Sequence, residues 1–218
     1  VIHYVGEPVS LKKPLTLSFG LQATPTRPRP KRWRGLGGGN VVGTNIHVPW
    51  TTEEDHRYGA GYPEASNPDY YYRYVKGRRE KGWKVLPYNA ILWSANFSPE
   101  MRYNVADWDL GGGINKYNDN RRFWWGRRIC GAAKSYAEFY TWKVRSYIES
   151  TGIDGLYHDL QWSYRCGNPD HGYSEAHRSF RGDRELNKRL YTMMKGFGRP
   201  LWKFDHASNL ICSVTSPF

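Results

Sequence analysis

Residues able to do acid–base chemistry or to hold sugar hydroxyls recur where five short apolar runs end. They are Gln22, His47, Tyr88 with Asn89, His158 with Asp159, and Asp205 with His206. Asp159 is the sharpest of them, because it closes Gly155-Leu156-Tyr157-His158-Asp159 just ahead of Trp162 and Tyr164. A carboxylate among aromatic rings suits glycoside chemistry: it can protonate a leaving oxygen, act as nucleophile, or stabilise positive charge on the sugar ring. Asp205 is the best second carboxylate, and Glu100, Asp107 and Asp109 follow it. Catalysis is therefore expected of Asp159 and Asp205. Substrate binding is expected of Gln22, His47, Trp50, Tyr88, Asn89, His158, Trp162 and His206. Taken singly, each of these polar groups reads more readily as a cap or a satisfied loop residue; the expectation rests on their recurrence at strand ends.

The elements that must position them alternate. Leu15–Gln22, Asn40–Val48, Lys84–Ile91, Gly155–Leu160 and Leu201–His206 read as strands, and Pro68–Glu80, Ser135–Glu149 and Asp183–Lys195 read as helices. Asn67 and Asp183 are the expected caps, and Gly82, Gly152 and Gly196 the stops. Strand, crossover and strand in succession indicate an α/β fold with a parallel sheet. Long loops after the strands are where a TIM (β/α)8-type barrel carries its chemistry. About five βα units are readable, so a partial barrel is expected over residues 15–218. Residues 1–14 read as the tail of a preceding β domain or as an edge strand.

The chain has 218 residues, and aromatics make up 16% of them, which excludes a disordered chain. No run approaches the roughly 20 apolar residues of a membrane span, and no signal peptide opens the chain. The formal charge of +12 favours a polyanionic partner, either nucleic acid or a sulfated or uronic-acid glycan. Two tracts, Arg27–Arg34 and Arg121–Arg128, interleave cations with rings. Such tracts suit an anionic glycan, single-stranded nucleic acid, or a surface whose arginine stems cover the rings. No nucleic-acid module is legible. Three cysteines do not make a disulfide scaffold. Cys166 and His171 could share a metal, but two ligands without a second pair do not define a zinc site, so no metal or cofactor is assigned. The glycine runs at 37–39 and 111–113 lack the spacing of a phosphate cradle, and there is no Gly-x-Ser-x-Gly elbow.

Several ordered segments resemble the barrel domain of glycoside hydrolase family 123. They are Phe19–Pro28, Lys81-Gly-Trp-Lys-Val-Leu-Pro-Tyr88, Ser98-Pro99-Glu100, Gly152-Ile-Asp-Gly-Leu-Tyr-His-Asp159, Cys166–Tyr173 and Arg184–Tyr191. The resemblance implies a (β/α)8 barrel, often behind a β-sandwich domain, in a parent protein that is extracellular or periplasmic. It also implies substrate-assisted hydrolysis of β-linked N-acetylgalactosamine: the acetamido group attacks, one carboxylate orients it, and an adjacent Glu is the acid. The chain departs from that pattern because no strand end carries an adjacent Asp-Glu pair. The last strands, and an acidic motif on them, are expected beyond Phe218. The expected function is thus cleavage of O-glycosidic bonds in a polysaccharide or glycoconjugate, N-acetylhexosamine-containing and anionic. A non-catalytic carbohydrate-binding barrel and a basic nucleic-acid binder are the alternatives.

Overall fold

A computed structural model describes residues 10–14, 45–49, 56–111, 114–116, 125–161, 164–171 and 179–205. The expected first strand, Leu15–Gln22, lies outside the described residues, as do Trp50, Trp162, His206 and the Arg27–Arg34 tract. The order of elements is β1 (Ile46–His47), α1 (Pro68–Glu80), β2 (Lys84–Val85), β3 (Tyr88–Ala90), β4 (Trp93–Ala95), α2 (Pro99–Tyr103), α3 (Val105–Trp108), β5 (Asn115–Lys116), β6 (Trp125–Arg128), α4 (Lys134–Thr151), β7 (Gly155–Asp159), α5 (Phe180–Lys195) and β8 (Trp202–Asp205).

The expected strand Lys84–Ile91 is split, because Pro87 has no N–H to give to a ladder. Backbone bonds nevertheless carry the path across the break. Leu86 N donates to His47 O (2.9 Å), Tyr88 N to Pro49 O (3.2 Å), and Tyr157 N to Pro87 O (3.0 Å). β1 pairs with β2, β3 with β7, and β7 with β8, all parallel. The described strands thus follow one another in sequence order, β1, β2/β3, β7, β8, as βα units placed side by side require.

The crossover helices all pack on one side. α1 buries Tyr71 and Val75. α4 buries Tyr136, Tyr140, Val144, Tyr147 and Ile148. α5 buries Leu186, Leu190 and Met194, and all of these meet Val85 and Leu156 of the sheet in one core. Each set keeps helical spacing, which is why the three helices were readable. Asn67 caps α1, its side chain accepting from Tyr70 N at 3.0 Å. α5 differs from expectation: it starts at Phe180, with Ser179 before it, and Asp183 is a buried first-turn residue that accepts from Ser179 Oγ at 2.9 Å.

An antiparallel sheet, ordered β4-β6-β5, interrupts the parallel succession between β3 and α4. The helices α2 and α3 lie within it. Ser98 Oγ accepts from Met101 N at 3.2 Å and Pro99 opens α2, the arrangement that Ser-Pro favours at a helix start. The excursion was not legible in the sequence, because its strands are only two to four residues long.

Candidate functional site

Side chains alternate across a strand, so neighbouring residues at a strand end face opposite ways. This divides the expected constellation in two. His158 pairs in register with Asn89 and Asp205, and Asp159 pairs with Ala90. Asn89, His158 and Asp205 therefore share the face that the helices cover, whereas Asp159 shares the other face with Tyr88, Tyr157 and Phe204.

The contacts agree. On the helix-covered face, the Tyr140 hydroxyl of α4 donates to Asn89 Oδ1 and lies 3.2 Å from His158 Nε2. His158 Nδ1 lies 3.6 Å from Asp205 Oδ1, which also accepts from Lys203 Nζ and Gln161 Nε2. Asn89, Tyr140, His158, Gln161 and Lys203 are all fully buried. His47 sits on the same side, 2.5 Å from the Tyr74 hydroxyl of α1 and edge-on to Trp83. These residues form a polar layer between sheet and helices. Burial holds the His158 imidazole neutral, lowering its pKa to about 4 against the pull of Asp205. Burial alone would raise the pKa of Asp205, but the Lys203 charge and the His158 contact outweigh it and hold the carboxylate at about 2. Asp205, expected as the second carboxylate of a site with Asp159, thus points away from it, and His47, Asn89 and His158 point the same way as Asp205.

On the opposite face Tyr88, Tyr157 and Phe204 stack in a cross-strand row. Ring centroids are 5.7 Å and 5.2 Å apart, with interplanar angles of 28° and 17°. Asp159 stands at the carboxyl end of this row. The Tyr88 hydroxyl donates to its Oδ2 at 2.9 Å, and Leu160 N donates to its Oδ1 at 2.7 Å. These bonds, one to each oxygen, orient the carboxylate. Leu160 takes a left-handed backbone, φ 57°, to make its bond. That conformation costs a non-glycine residue on the order of 1 kcal/mol and is seen where a site demands it. Tyr157 is pushed up to about 12 by burial and by the neighbouring Asp159 charge. An oriented carboxylate beside a ledge of rings can hold a pyranose by its C–H face and meet charge developing at the sugar.

The weaker acidic candidates have structural partners. Glu100 accepts from the Tyr62 hydroxyl at 3.0 Å, and Asp109 is ion-paired with Arg127, whose Nε also donates to Asn96 at 3.0 Å. Asp107 accepts from the Ser135 hydroxyl and lies 2.8 Å from His171 Nε2. In the second basic tract, Arg127 is held by those contacts and Arg128 lies 5.0 Å from the centre of the Tyr164 ring. Asp154, on the Gly-x-Asp-Gly stretch before Asp159, serves the far end of β7. It takes Arg79 Nε and Nη2 on Oδ1, at 3.0 and 2.8 Å, and Val85 N on Oδ2 at 3.0 Å. Beside Cys166 and His171 the structure places Cys130, which sequence reasoning missed. Its distance along the chain from the other two left no spacing signal to find.

No protein-family model matches the chain, and no curated protein matches it. Solved structures do. An alpha-L-fucosidase isoenzyme 2 from Paenibacillus thiaminolyticus is similar over 75% of this chain and 27% of its own, with a TM-score of 0.54 and 12% identity. A GH31 family sulfoquinovosidase from E. rectale is similar over 75% and 26%, with a TM-score of 0.54 and 15% identity. An alpha-galactosidase from Thermus thermophilus is similar over 78% and 34%, with a TM-score of 0.52 and 12% identity. The chain spans about a quarter to a third of the length of these enzymes. Its parallel strands with helices on one side are therefore similar in fold to a part of solved glycoside hydrolases.

Proposed function

We propose that the chain is part of a (β/α)8 barrel of a glycosidase that cleaves O-glycosidic bonds, with Asp159 as the carboxylate at the reacting sugar. The observation that carries this reading is the placement of Asp159. It is held at a parallel strand's carboxyl end by Tyr88 and Leu160, beside the stacked Tyr88, Tyr157 and Phe204 rings. The fold similarity to glycoside hydrolases supports it. The resemblance to family 123 extends it to an N-acetylhexosamine substrate, on which Asp159 would orient the acetamido group for attack at the anomeric carbon. The general acid is then a residue other than Asp205. The excess positive charge suits a sulfated or uronic-acid glycan. No helix among the described residues is long and apolar enough to cross a membrane. We place the parent protein outside the cytoplasm, where such glycans are met.

Asp159→Asn in the full-length parent tests the role. The amide keeps the shape but carries no charge, so turnover of an aryl N-acetylhexosaminide should fall on the order of 10²-fold or more with thermal stability retained. Near wild-type turnover would overturn the assignment. The position of Asp205 on the helix-covered face favours one second reading, a barrel that binds carbohydrate without cleaving it. Calorimetric binding of the glycoside by the parent, with no product released, would decide for that reading.

A further inference from the structure

We infer that Cys130, Cys166 and His171 form a structural zinc site. The ligand atoms of the three residues lie within 4.8 Å of one another, and among the described residues they are the one group of three or more such side chains so gathered. Both thiols are buried, and the His171 side chain is 5% exposed. Cys166 Sγ is 3.3 Å from His171 Nδ1.

The imidazole is already set for a metal. Its Nε2 lies 2.8 Å from Asp107 Oδ1 and donates to it, so the proton sits on Nε2 and the Nδ1 lone pair faces the cysteines. A carboxylate behind the far nitrogen of a ligating histidine is the arrangement that fixes tautomer and ring orientation in zinc proteins. Asp107 is in turn held by the Ser135 hydroxyl, whose oxygen accepts from Trp108 Nε1 at 2.7 Å.

The backbone holds the ligands as firmly. Cys130 N donates to Trp108 O, and Ala133 N donates to Cys130 O, each at 3.0 Å. Cys166 and His171 flank a short loop closed by the single helical turn Pro169–His171, with Asp170 N on Asn168 Oδ1 at 3.0 Å. Two thiolates and an imidazole select zinc over the hard cations, and leave the fourth position of the tetrahedron for another side chain, as a structural site requires. The two thiols release their protons to solvent on binding. A zinc ion here joins the turn after β6, which carries Cys130, to the loop after β7, which carries Cys166 and His171. It stiffens the turn after β6 and the loop after β7, and it does not depend on Asp159 being catalytic.

The experiment is metal analysis of the chain expressed with zinc, dialysed, and measured by plasma mass spectrometry. We expect one zinc ion per chain, and loss of it in Cys130→Ser, Cys166→Ser and His171→Asn. Should those variants not fold, Asp107→Asn keeps all three ligands. It should bind zinc 10–100-fold more weakly in a chelator competition. Cobalt exchanged into the wild-type chain should show thiolate-to-cobalt charge-transfer absorption. Wild-type protein without stoichiometric zinc, zinc affinity unchanged in Asp107→Asn, or a Cys130–Cys166 disulfide in a non-reduced peptide map would each overturn the site.

Discussion

Asp159 and Asp205 show how one step along a strand decides a residue's work. Both close apolar runs, and both are acidic. Asp159 faces the aromatic row and meets Tyr88, whereas Asp205 pairs in register with His158 and faces Lys203 beneath the helices. The Lys203 ammonium is fully buried. Removing one partner of a buried pair leaves an uncompensated charge, which costs about 3–5 kcal/mol. Asp205→Ala should therefore lower the unfolding free energy by that order in a urea titration, while Asp205→Ala with Lys203→Met should recover much of it. A single variant of near wild-type stability would show that the pair is not desolvated. Asp205 is a residue of stability here, whereas Asp159 is held on the opposite face by Tyr88 and Leu160.

At the scale of elements, two glycines mark where the chain admits no side chain and where it would welcome one. Gly155 opens β7 with φ 148°, and a Cβ there would stand 1.7 Å from Trp202 O of β8. Gly155→Ala must push β8 from β7, and with it Lys203 and Asp205 from His158. We expect insoluble expression or a loss above roughly 3 kcal/mol, in the range of other strained backbone and overpacked sites. Gly77, inside α1, has among the described residues no neighbour beyond its own helix backbone and adjoining residues within 4 Å of a built Cβ. Gly77→Ala should stabilise the chain by about 0.5–1 kcal/mol through helix propensity alone. Paired thermal melts check both, and equal midpoints for the two variants would contradict the strand geometry.

For the whole molecule, two buried neutral histidines set its response to acid. His56 Nδ1 donates a hydrogen bond to Tyr62 O (2.9 Å), and the ring packs edge-on to Tyr147. Burial lowers its pKa to about 4 despite that carbonyl. His158 is lowered to about 4 by burial as well. In the unfolded chain both return to about 6.5. Between those values the unfolded chain binds protons that the folded chain does not, so stability falls as pH drops from about 6.5 to about 4. Each histidine contributes up to roughly 3 kcal/mol to that loss. Asp205, held at about 2, extends it below the ordinary carboxylate range near 3.8. Denaturant titrations from pH 7 to pH 3.5 should show this decline, and His56→Asn should make it shallower. A stability flat across pH 7 to 4 would mean that both imidazoles reach water.

Amphipathic periodicity and punctuation determined the three long helices. Tyr136, Tyr140, Val144 and Tyr147 form a stripe that only a helix buries on one side, and Gly152, at φ 69°, ends it where the sequence places a stop. The βα alternation likewise determined the parallel, sequential sheet, because a strand followed by an amphipathic helix returns beside itself. The parity of each strand end was beyond the sequence. His158 and Asp159 must face opposite ways, but which of them meets the helices depends on register with β3 and β8, set by packing against Tyr140. The cap of α5 went the same way: Asp183 has the chemistry of a cap, yet Gly131 and Ser179 pack close enough to draw it into the first turn. Only the tertiary structure brought Cys130 to Cys166 and His171. Contacts between residues far apart in sequence leave no local spacing to read, and their geometry is fixed by the backbone turns that carry them.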